Sequence, residues 1–238
     1  MTNAVNRPIS YAFPLILILF FTGFSTLPLG RADEIKEGRE EARQSTASLQ
    51  KAMSNPSKSI PRNLLRKAEA VAVFTNVKKG GFIIGGTGGD GVISRRIGNT
   101  WGPPAYYNIA GADVGLQIGV KETDYIMVFN TPAALKDLLN DKMELSAGVS
   151  MAAGPIGEEA AARTKLTGNE AVYIYSNSGG AFAGATVGGG TITADNSRNQ
   201  KIYNMRGADV LTDPSKVNVS KLPVELTTFT KTLAGYAK

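Results

Sequence analysis

The chain has 238 residues, and its 26 lysines and arginines outnumber its 20 aspartates and glutamates, so its formal net charge is +6. It contains no cysteine and no histidine, which excludes disulfide bonds, thiolate or imidazole metal sites, and catalytic triads that use a histidine base. This length allows one domain with a sizeable core or two small ones, and the modest positive charge favours anionic partners without identifying them.

The N-terminal segment predicts an export signal. Its densest apolar part, residues 15–24, has the length of a signal-peptide core, whereas a membrane span needs about 20 apolar residues. Small residues at Gly30 and Ala32 suit cleavage after Ala32, so we predict a signal peptide over residues 1–32. The protein would then be exported, and either periplasmic or peripherally associated with the envelope membrane. An uncleaved anchor over residues 11–29 is the alternative.

A charged, alanine-rich segment after the leader predicts a helix. Residues 33–53 begin with acidic side chains, which the partial positive charge of a helix N-terminus favours. The sequence NPSKS at residues 55–59 ends this pattern. We therefore predict an N-terminal helical segment over residues 33–58, followed by a single domain over residues 59–238.

A second, short helix is predicted over residues 61–70, because proline suits the first turn of a helix. Leu64, Leu65 and Ala68 share its apolar side. Its basic residues are Arg62, Arg66 and Lys67. Two interpretations stay open: a helix that packs on the core with solvated charges, and a cationic amphipathic helix that lies on a membrane surface.

Residues 76–96 predict a β-hairpin with basic flanks. Residues 82–84 and 92–93 favour strands, and the glycine-rich residues 87–91 predict the turn between them. The basic flanks consist of Lys78, Lys79, Arg95 and Arg96. The glycines at residues 86–91 also spell the G-x-G-x-x-G dinucleotide pattern, but a β-type run follows instead of the helix that such a site needs. We therefore predict no nucleotide site.

The remainder of the chain predicts mainly strands. Alternating or continuous apolar runs predict them at residues 109–120, 124–130, 143–153, 172–177 and 179–193. A short helix capped by Thr131 is predicted at residues 131–140, and a helix from Pro223 carries apolar residues at helical spacing. Residues 194–214 are polar and turn-rich.

Glycines concentrate in three of the predicted strands, starting near Gly80, Gly111 and Gly179. Glycine weakens a strand, so its concentration indicates tight curvature or the close approach of another element. We predict an α+β fold: a strongly curled, barrel-like antiparallel β-sheet with N-terminal helices, one short internal helix and a C-terminal helix.

No catalytic, metal or cofactor site is predicted. Glu158 and Glu159 are adjacent in a predicted loop, and adjacent carboxylates rarely converge on one substrate atom. Asp90, Asp113 and Asp124 offer oxygen ligands but lack the spacing of a calcium loop. Nucleic-acid binding is not predicted either, because the chain has no long basic stripe and no stacking motif.

Several strings together resemble the SYLF-domain family, a lipid-binding module first known from yeast and animal endocytic proteins. They occur in the family's order over residues 60–204, and they are IPRNLLRKAEAVAVF, NVKKGGFIIGG, GDGVISRR, WGPPAYY, GADVGLQIG, TDYIMVFN, SAGVSMAAGPIG and AFAGATVGGGTI. The resemblance implies a non-catalytic domain that binds anionic phospholipids, and it extends to the yeast Ysc-type domain, for which actin binding is reported.

The resemblance also implies a location for the lipid contact. The family's basic amphipathic helix matches residues 61–70, and its neighbouring basic residues match Lys78 and Lys79. The hairpin prediction adds Arg95 and Arg96. The predicted lipid-binding residues are therefore Arg62, Arg66, Lys67, Lys78, Lys79, Arg95 and Arg96.

We therefore expect non-catalytic binding of anionic phospholipids at a membrane surface. The alternative is an envelope structural or protein-interaction module with no headgroup preference and an envelope protein as its partner. Because the leader predicts export, actin and phosphoinositides are not the expected ligands.

Overall fold

The computed structural model describes residues 31–80, 85–113, 121–145, 150–157, 170–177, 181–185 and 189–238. Residues 1–30 of the predicted export signal lie outside this part of the chain, so the signal and its cleavage stay predictions. None of the helices within these ranges is long and apolar enough to cross a membrane.

The helices lie on both sides of a large sheet. They are α1 (Arg31–Met53), α2 (Arg62–Lys67), α3 (Pro132–Leu135), α4 (Asn196–Tyr203), α5 (Gly207–Thr212) and α6 (Val224–Tyr236). Short 3-10 turns occur at Leu138–Asn140, Pro214–Lys216 and Val219–Lys221.

The strands form a curled half-barrel in the order β6-β10-β4-β2-β1-β5-β8-β7, with β3 paired to β2 and β9 paired to β8. They are β1 (Ala70–Gly80), β2 (Gly85–Ile97), β3 (Thr100–Trp101), β4 (Ala105–Asp113), β5 (Lys121–Phe129), β6 (Lys142–Glu144), β7 (Met151–Ala153), β8 (Val172–Asn177), β9 (Phe182–Gly184) and β10 (Thr191–Ala194). The predicted α+β fold with a curled sheet is confirmed. One detail differs, since β7 and β8 pair in parallel.

The central strand β1 buries both of its faces. Ala70, Ala72 and Phe74 contribute to one core cluster, which also contains residues of α3 and α5. The intervening Val71 and Val73 contribute to a second cluster, with residues of α1, α2 and α6. Helices therefore cover the sheet on both faces, and this is why β1 is continuously apolar from residue 70 to residue 74.

The strands β1 and β2 pair as the predicted hairpin requires, but the turn does not lie at the predicted residues 87–91. Residues 87–91 lie inside β2, where they pair with β1 on one side and with β4 on the other. The predicted strand at residues 82–84 lies outside the described residues. The glycines that suggested a turn instead permit close contact with β1, because a Cβ atom at Gly91 would lie 2.3 Å from the carbonyl oxygen of Val73.

Most predicted helices are present within a few residues of their expected bounds. The Thr131 hydroxyl accepts a hydrogen bond from the Ala134 amide, as the predicted cap requires. In α6, Leu226, Phe229 and Leu233 are buried. The prediction missed α4 and α5, which occupy the polar segment that we described as turn-rich.

Candidate functional site

The basic side of α2 faces solvent. Arg62 and Arg66 are exposed and, four residues apart, lie on neighbouring turns of the helix. They border a pocket of about 240 Å³ that Met53, Pro56 and Ser59 also line. Ser59 is buried, and its hydroxyl donates a hydrogen bond to the Pro56 carbonyl at 3.2 Å. We call this concavity the α2 pocket.

The opposite side of α2 is fixed in the core. Leu64 and Leu65 are buried, as is Ala68 just beyond the helix, and all three belong to the cluster beneath α1 and α6. The sequence left open whether this apolar side packs on the core or meets a membrane, and the structure shows it packed. Only the basic side of α2 is available to a partner without unfolding the helix from the sheet.

Contacts at the far end of the chain orient the two arginines. The guanidinium carbon of Arg62 lies 5.6 Å from the centroid of the Tyr236 ring, a cation–π distance. Arg66 donates from Nη1 to the carbonyl of Lys238 at 3.5 Å. Lys67 is exposed and completes the basic side.

The remaining predicted lipid-binding residues are placed elsewhere. Lys78 is exposed on β1, where its neighbour across the sheet on β5 is Glu122. Lys79 is the next residue of β1, and its backbone pairs with Thr87 and Lys121. Neither lysine belongs to α2, so the structure does not bring all seven predicted residues into one cluster.

Arg96 is directed at the protein itself. Its Nε donates to the carbonyl of Ala68 at 2.8 Å, and its Nη2 donates to the carbonyl of Leu65 at 2.6 Å. Its guanidinium carbon lies 4.4 Å from the centroid of the Trp101 ring. Partial burial lowers the pKa of Arg96 below its ordinary value, because it disfavours the charged form. These contacts make Arg96 the C-terminal cap of α2.

The Arg95 side chain also contacts the protein itself rather than solvent alone. It is half-buried and donates from Nη1 to the carbonyl of Leu211 in α5 at 3.3 Å. The sequence predicted both arginines as a basic flank of the hairpin, at the end of its second strand. The observed strand instead continues to residue 97, which carries the two side chains towards opposite layers of helices.

The acidic residues noted in the sequence have different outcomes. Glu158 and Glu159 lie outside the described residues. The Asp124 carboxylate accepts hydrogen bonds from the Ser48 hydroxyl and from the backbone N–H of Asn76, each at 3.0 Å. It thereby joins α1 to the sheet. Within the described ranges, no three histidine, cysteine, aspartate or glutamate side chains group as metal ligands would.

Sequence reasoning missed a polar pocket of about 460 Å³ between α1 and β2. Its charged lining consists of Asp33, Lys36, Glu37, Glu40, Glu41, Asp90 and Arg198. Burial raises the pKa of Glu41 to about 7, a rise that the hydrogen bond from the Thr75 hydroxyl limits and the nearby Asp90 increases. Arg198, which is 9% exposed, lies between acidic groups and forms ion pairs with Glu34, Glu37 and Asp195.

A second missed feature is an apolar groove of about 510 Å³ between β3 and α6, which we call the Trp101 groove. Its apolar lining includes Ile97, Trp101, Pro103, Pro214, Leu222 and Leu226. The sequence signals were the only tryptophan of the chain and the apolar stripe of the C-terminal helix, but nothing in the sequence indicated that they meet.

The scaffold is a curled sheet covered by helices, and it presents a basic helix side and an apolar groove. The comparisons with known proteins assign this scaffold to a family. The family model Ysc84, described as "Las17-binding protein actin regulator", matches residues 110–236. The chain belongs to this family, whose domain is the SYLF domain, and the predicted resemblance is confirmed.

Relatives occur in yeast and in animals. LAS seventeen-binding protein 3 of Saccharomyces cerevisiae is 38% identical over 148 residues, which cover 60% of this chain and 32% of the relative. Protein YSC84 of the same yeast is 38% identical over 148 residues, covering 60% and 31%. Human SH3 domain-containing YSC84-like protein 1 is 28% identical over 189 residues, covering 78% and 54%. The chain thus spans about a third of the length of the yeast relatives, one of which is named as a binding protein.

Proposed function

We propose that the protein binds anionic phospholipid surfaces without catalysis, and that the basic side of α2 makes the contact. The observation that carries this proposal is the exposure of Arg62, Arg66 and Lys67 on a helix whose apolar side is fixed in the core. Because the predicted export signal would deliver the protein to the envelope, we propose an envelope membrane as the surface.

The α2 pocket suits a headgroup phosphate. Guanidinium groups present several donors in a plane and pair well with phosphate oxygens, and Arg62 and Arg66 both border this pocket. Ser59 also lines this pocket, and its hydroxyl already donates to the Pro56 carbonyl, so the two arginines are the donors offered to a phosphate. A phosphate held there would lie between two cations, with Lys67 beside them on the same helix.

The expected attachment is electrostatic and therefore sensitive to salt. Each lysine or arginine near an anionic surface contributes about 1 kcal/mol, and the contribution decays within a Debye length. Leu64 and Leu65 are packed against the core, so this mechanism does not require α2 to insert its apolar side. Lys78 and Lys79 are proposed as secondary contacts, whereas the donors of Arg96 are already engaged with α2.

Co-sedimentation with liposomes tests the proposal. The chain from Arg31, which contains every described element, would be mixed with neutral or anionic vesicles at low and at physiological salt. We expect binding to anionic vesicles only, weaker at higher salt. Replacing Arg62, Arg66 and Lys67 by Gln should weaken it on the order of 100-fold, since three contributions of about 1 kcal/mol are lost.

A matched variant separates the site from the net charge. Changing Lys36, Lys136 and Lys221 to Gln removes the same three charges from exposed positions away from the α2 pocket. This variant should keep most of the binding, and circular dichroism would verify that both variants fold. Equal losses in the two variants would show that binding follows the overall charge and would contradict a site on α2.

Protein binding is the second candidate, because one yeast relative is named LAS seventeen-binding protein 3 and the matching family model is described as "Las17-binding protein actin regulator". In this case the exposed basic side of α2 would meet an acidic surface of an envelope protein. Negligible pelleting with every vesicle would refute the lipid proposal and favour binding to a protein.

A further inference from the structure

The Trp101 groove has the composition of a site for a small amphiphile. Small-molecule sites are concave, largely apolar and about 300–1,000 Å³ in volume, with a few polar groups that fix orientation. The groove has about 510 Å³ and is lined largely by apolar side chains. Its residues are distinct from those that border the α2 pocket, so the inference drawn here does not depend on the proposed lipid-surface binding.

The tryptophan in the wall of this groove has an unused hydrogen-bond donor. Trp101 is 4% exposed, and its buried indole Nε1–H has no acceptor among the residues that the structure describes. The ring itself is held in place, since Arg96 lies over one face. The ring therefore forms a fixed apolar wall of the groove.

The rim of the groove carries one basic side chain, Lys231 on α6. It is exposed and forms no ion pair within the described ranges. Thr227 and Thr230 also line the groove, and their hydroxyls donate hydrogen bonds to the carbonyls of Val224 and Leu226 within α6. An apolar channel with a cation at its rim is complementary to a molecule that has an alkyl chain and an anionic head.

We propose that the Trp101 groove binds a long-chain carboxylate, a free fatty acid, with its alkyl chain along Trp101 and Leu226 and its carboxylate near Lys231. An extended peptide is a poorer match. A peptide needs several hydrogen-bond partners along its backbone, whereas the indole N–H is the only buried side-chain donor left unpaired among the described residues of this groove.

Fluorescence of Trp101 tests the proposal directly, because it is the only tryptophan of the chain. The full chain would be titrated with dodecanoate below its micelle concentration, and with a brominated dodecanoate, whose bromine quenches indole emission at short range. We expect saturable quenching by the brominated acid, reversed by the unlabelled acid.

Two threonines of α6 provide a matched pair of variants. Thr227 lines the groove, whereas the adjacent Thr228 is exposed and does not, although both hydroxyls donate to Val224. Thr227→Phe should lower dodecanoate affinity about tenfold because it overfills the groove, and Thr228→Phe should leave the affinity unchanged. Circular dichroism and liposome pelleting of Thr227→Phe should match the wild type.

The charge on the rim is tested separately. Lys231→Gln should weaken dodecanoate binding about threefold and leave dodecanol binding unchanged, while Lys136→Gln, at an exposed position outside the groove, should change neither. Absence of saturable quenching, or equal affinities in the two threonine variants, would overturn the site. Binding of dodecanol as tight as that of dodecanoate would overturn the carboxylate assignment. Loss of liposome binding in the Arg62, Arg66 and Lys67 variant would leave this proposal untouched.

Discussion

Glu41 lies in an environment unlike that of an ordinary surface carboxylate. It lies on the side of α1 that faces the sheet, and it accepts hydrogen bonds from the hydroxyls of Thr75 and Ser45. Burial nevertheless disfavours its charged form, and Asp90 nearby adds repulsion, so its pKa rises from 4.5 to about 7. The junction between α1 and β1 therefore depends on pH near neutrality.

The first prediction concerns this carboxyl group. Because the folded pKa is above the unfolded one, the folded state holds the proton more tightly. This contribution to stability is fully present below pH 4.5, falls as the pH rises towards 7, and is absent above it. Between pH 5 and pH 8 the wild type should lose on the order of 2 kcal/mol of its free energy of unfolding through this group. The Glu41→Gln variant has no carboxyl group at this position and should not show this loss. Urea unfolding at both pH values measures it.

Glu40→Gln is the matched control for this prediction. Its neighbour Arg43 donates to the Glu40 carboxylate and lowers the pKa of that group to about 2, so Glu40 stays charged in the folded protein at both pH values. The Glu40 variant should therefore keep the slope of the wild type between pH 5 and pH 8. Parallel slopes for the wild type and Glu41→Gln would refute the assigned role of Glu41.

The residues of α2 show how far the candidate site could be predicted. Helical spacing was sufficient to place Arg62 and Arg66 on the basic side, because both are governed by local structure. The role of Arg96 depends on the end of α2 and on the Trp101 ring, which come together only in the folded chain. The Trp101 groove was beyond sequence reasoning for the same reason, since its walls come from distant parts of the chain.

In the hairpin of β1 and β2, a bulge in β1 limits the size of the side chain that fits at the facing position of β2. The pairing of β1 shifts register between Thr75 and Lys78, and Asn76 adopts a positive φ of 50° within this bulge. At the bulge, the backbone and the side chain of Val77 in β1 approach β2 closely. A glycine at position 89 of β2 fits this close approach, because a Cβ atom there would lie 2.8 Å from Cγ2 of Val77.

The second prediction compares two glycines of β2. A Cβ atom at Gly91 would lie 2.3 Å from the Val73 carbonyl oxygen, so Gly91→Ala should destabilise the protein by about 1–3 kcal/mol through a forced backbone shift. At Gly88 the nearest atom is 4.0 Å away, so Gly88→Ala should be neutral or slightly stabilising. Thermal unfolding of the two variants measures the difference. Equal melting temperatures would show that the contact at Gly91 does not determine the residue.

Element types could be predicted where one pattern dominated. The apolar spacing of α6 and the continuous apolar run of β5 predicted both elements, since burial on one side of a helix or on both faces of a strand leaves a distinct pattern. The helices α4 and α5 were missed because their helical state depends on tertiary contacts of polar residues, such as the hydrogen bond from the Asn199 side chain to the Tyr106 carbonyl. The turn in the hairpin was misplaced because strand glycines and turn glycines look alike.

Across the whole molecule, α1 joins layers that are far apart in sequence. Near its start Glu34 pairs with Lys201 of α4 at 2.7 Å, and further along Arg39 pairs with Glu225 of α6 at 2.8 Å. Near its end Ala52 and Met53 pack in the cluster that also contains α2. The polar pocket between α1 and β2, with its five carboxylates, therefore lies towards the N-terminal end of α1, and the basic side of α2 lies near the other end.

This separation of charge predicts how the protein is oriented on an anionic surface, with the C-terminal end of α1 near the lipid and its N-terminal end away from it. The chain has no cysteine, so a single introduced cysteine can carry a polarity-sensitive dye. Lys58→Cys lies shortly before α2, whereas Lys36→Cys lies near the start of α1, and both positions are exposed. Residue 36 is 17 residues before the end of α1 at Met53, or about 25 Å along the helix axis, more than two Debye lengths at physiological salt.

Each of these substitutions removes one lysine, so the two labelled proteins have the same net charge and differ only in where the dye is attached. On binding anionic vesicles, the dye at position 58 should shift to shorter wavelengths and be quenched by brominated lipid, while the dye at position 36 should respond little. Equal responses would mean that the protein has no preferred orientation on the membrane. A stronger response at position 36 would place the contact at the acidic end of α1 and exclude α2 as the lipid-facing element.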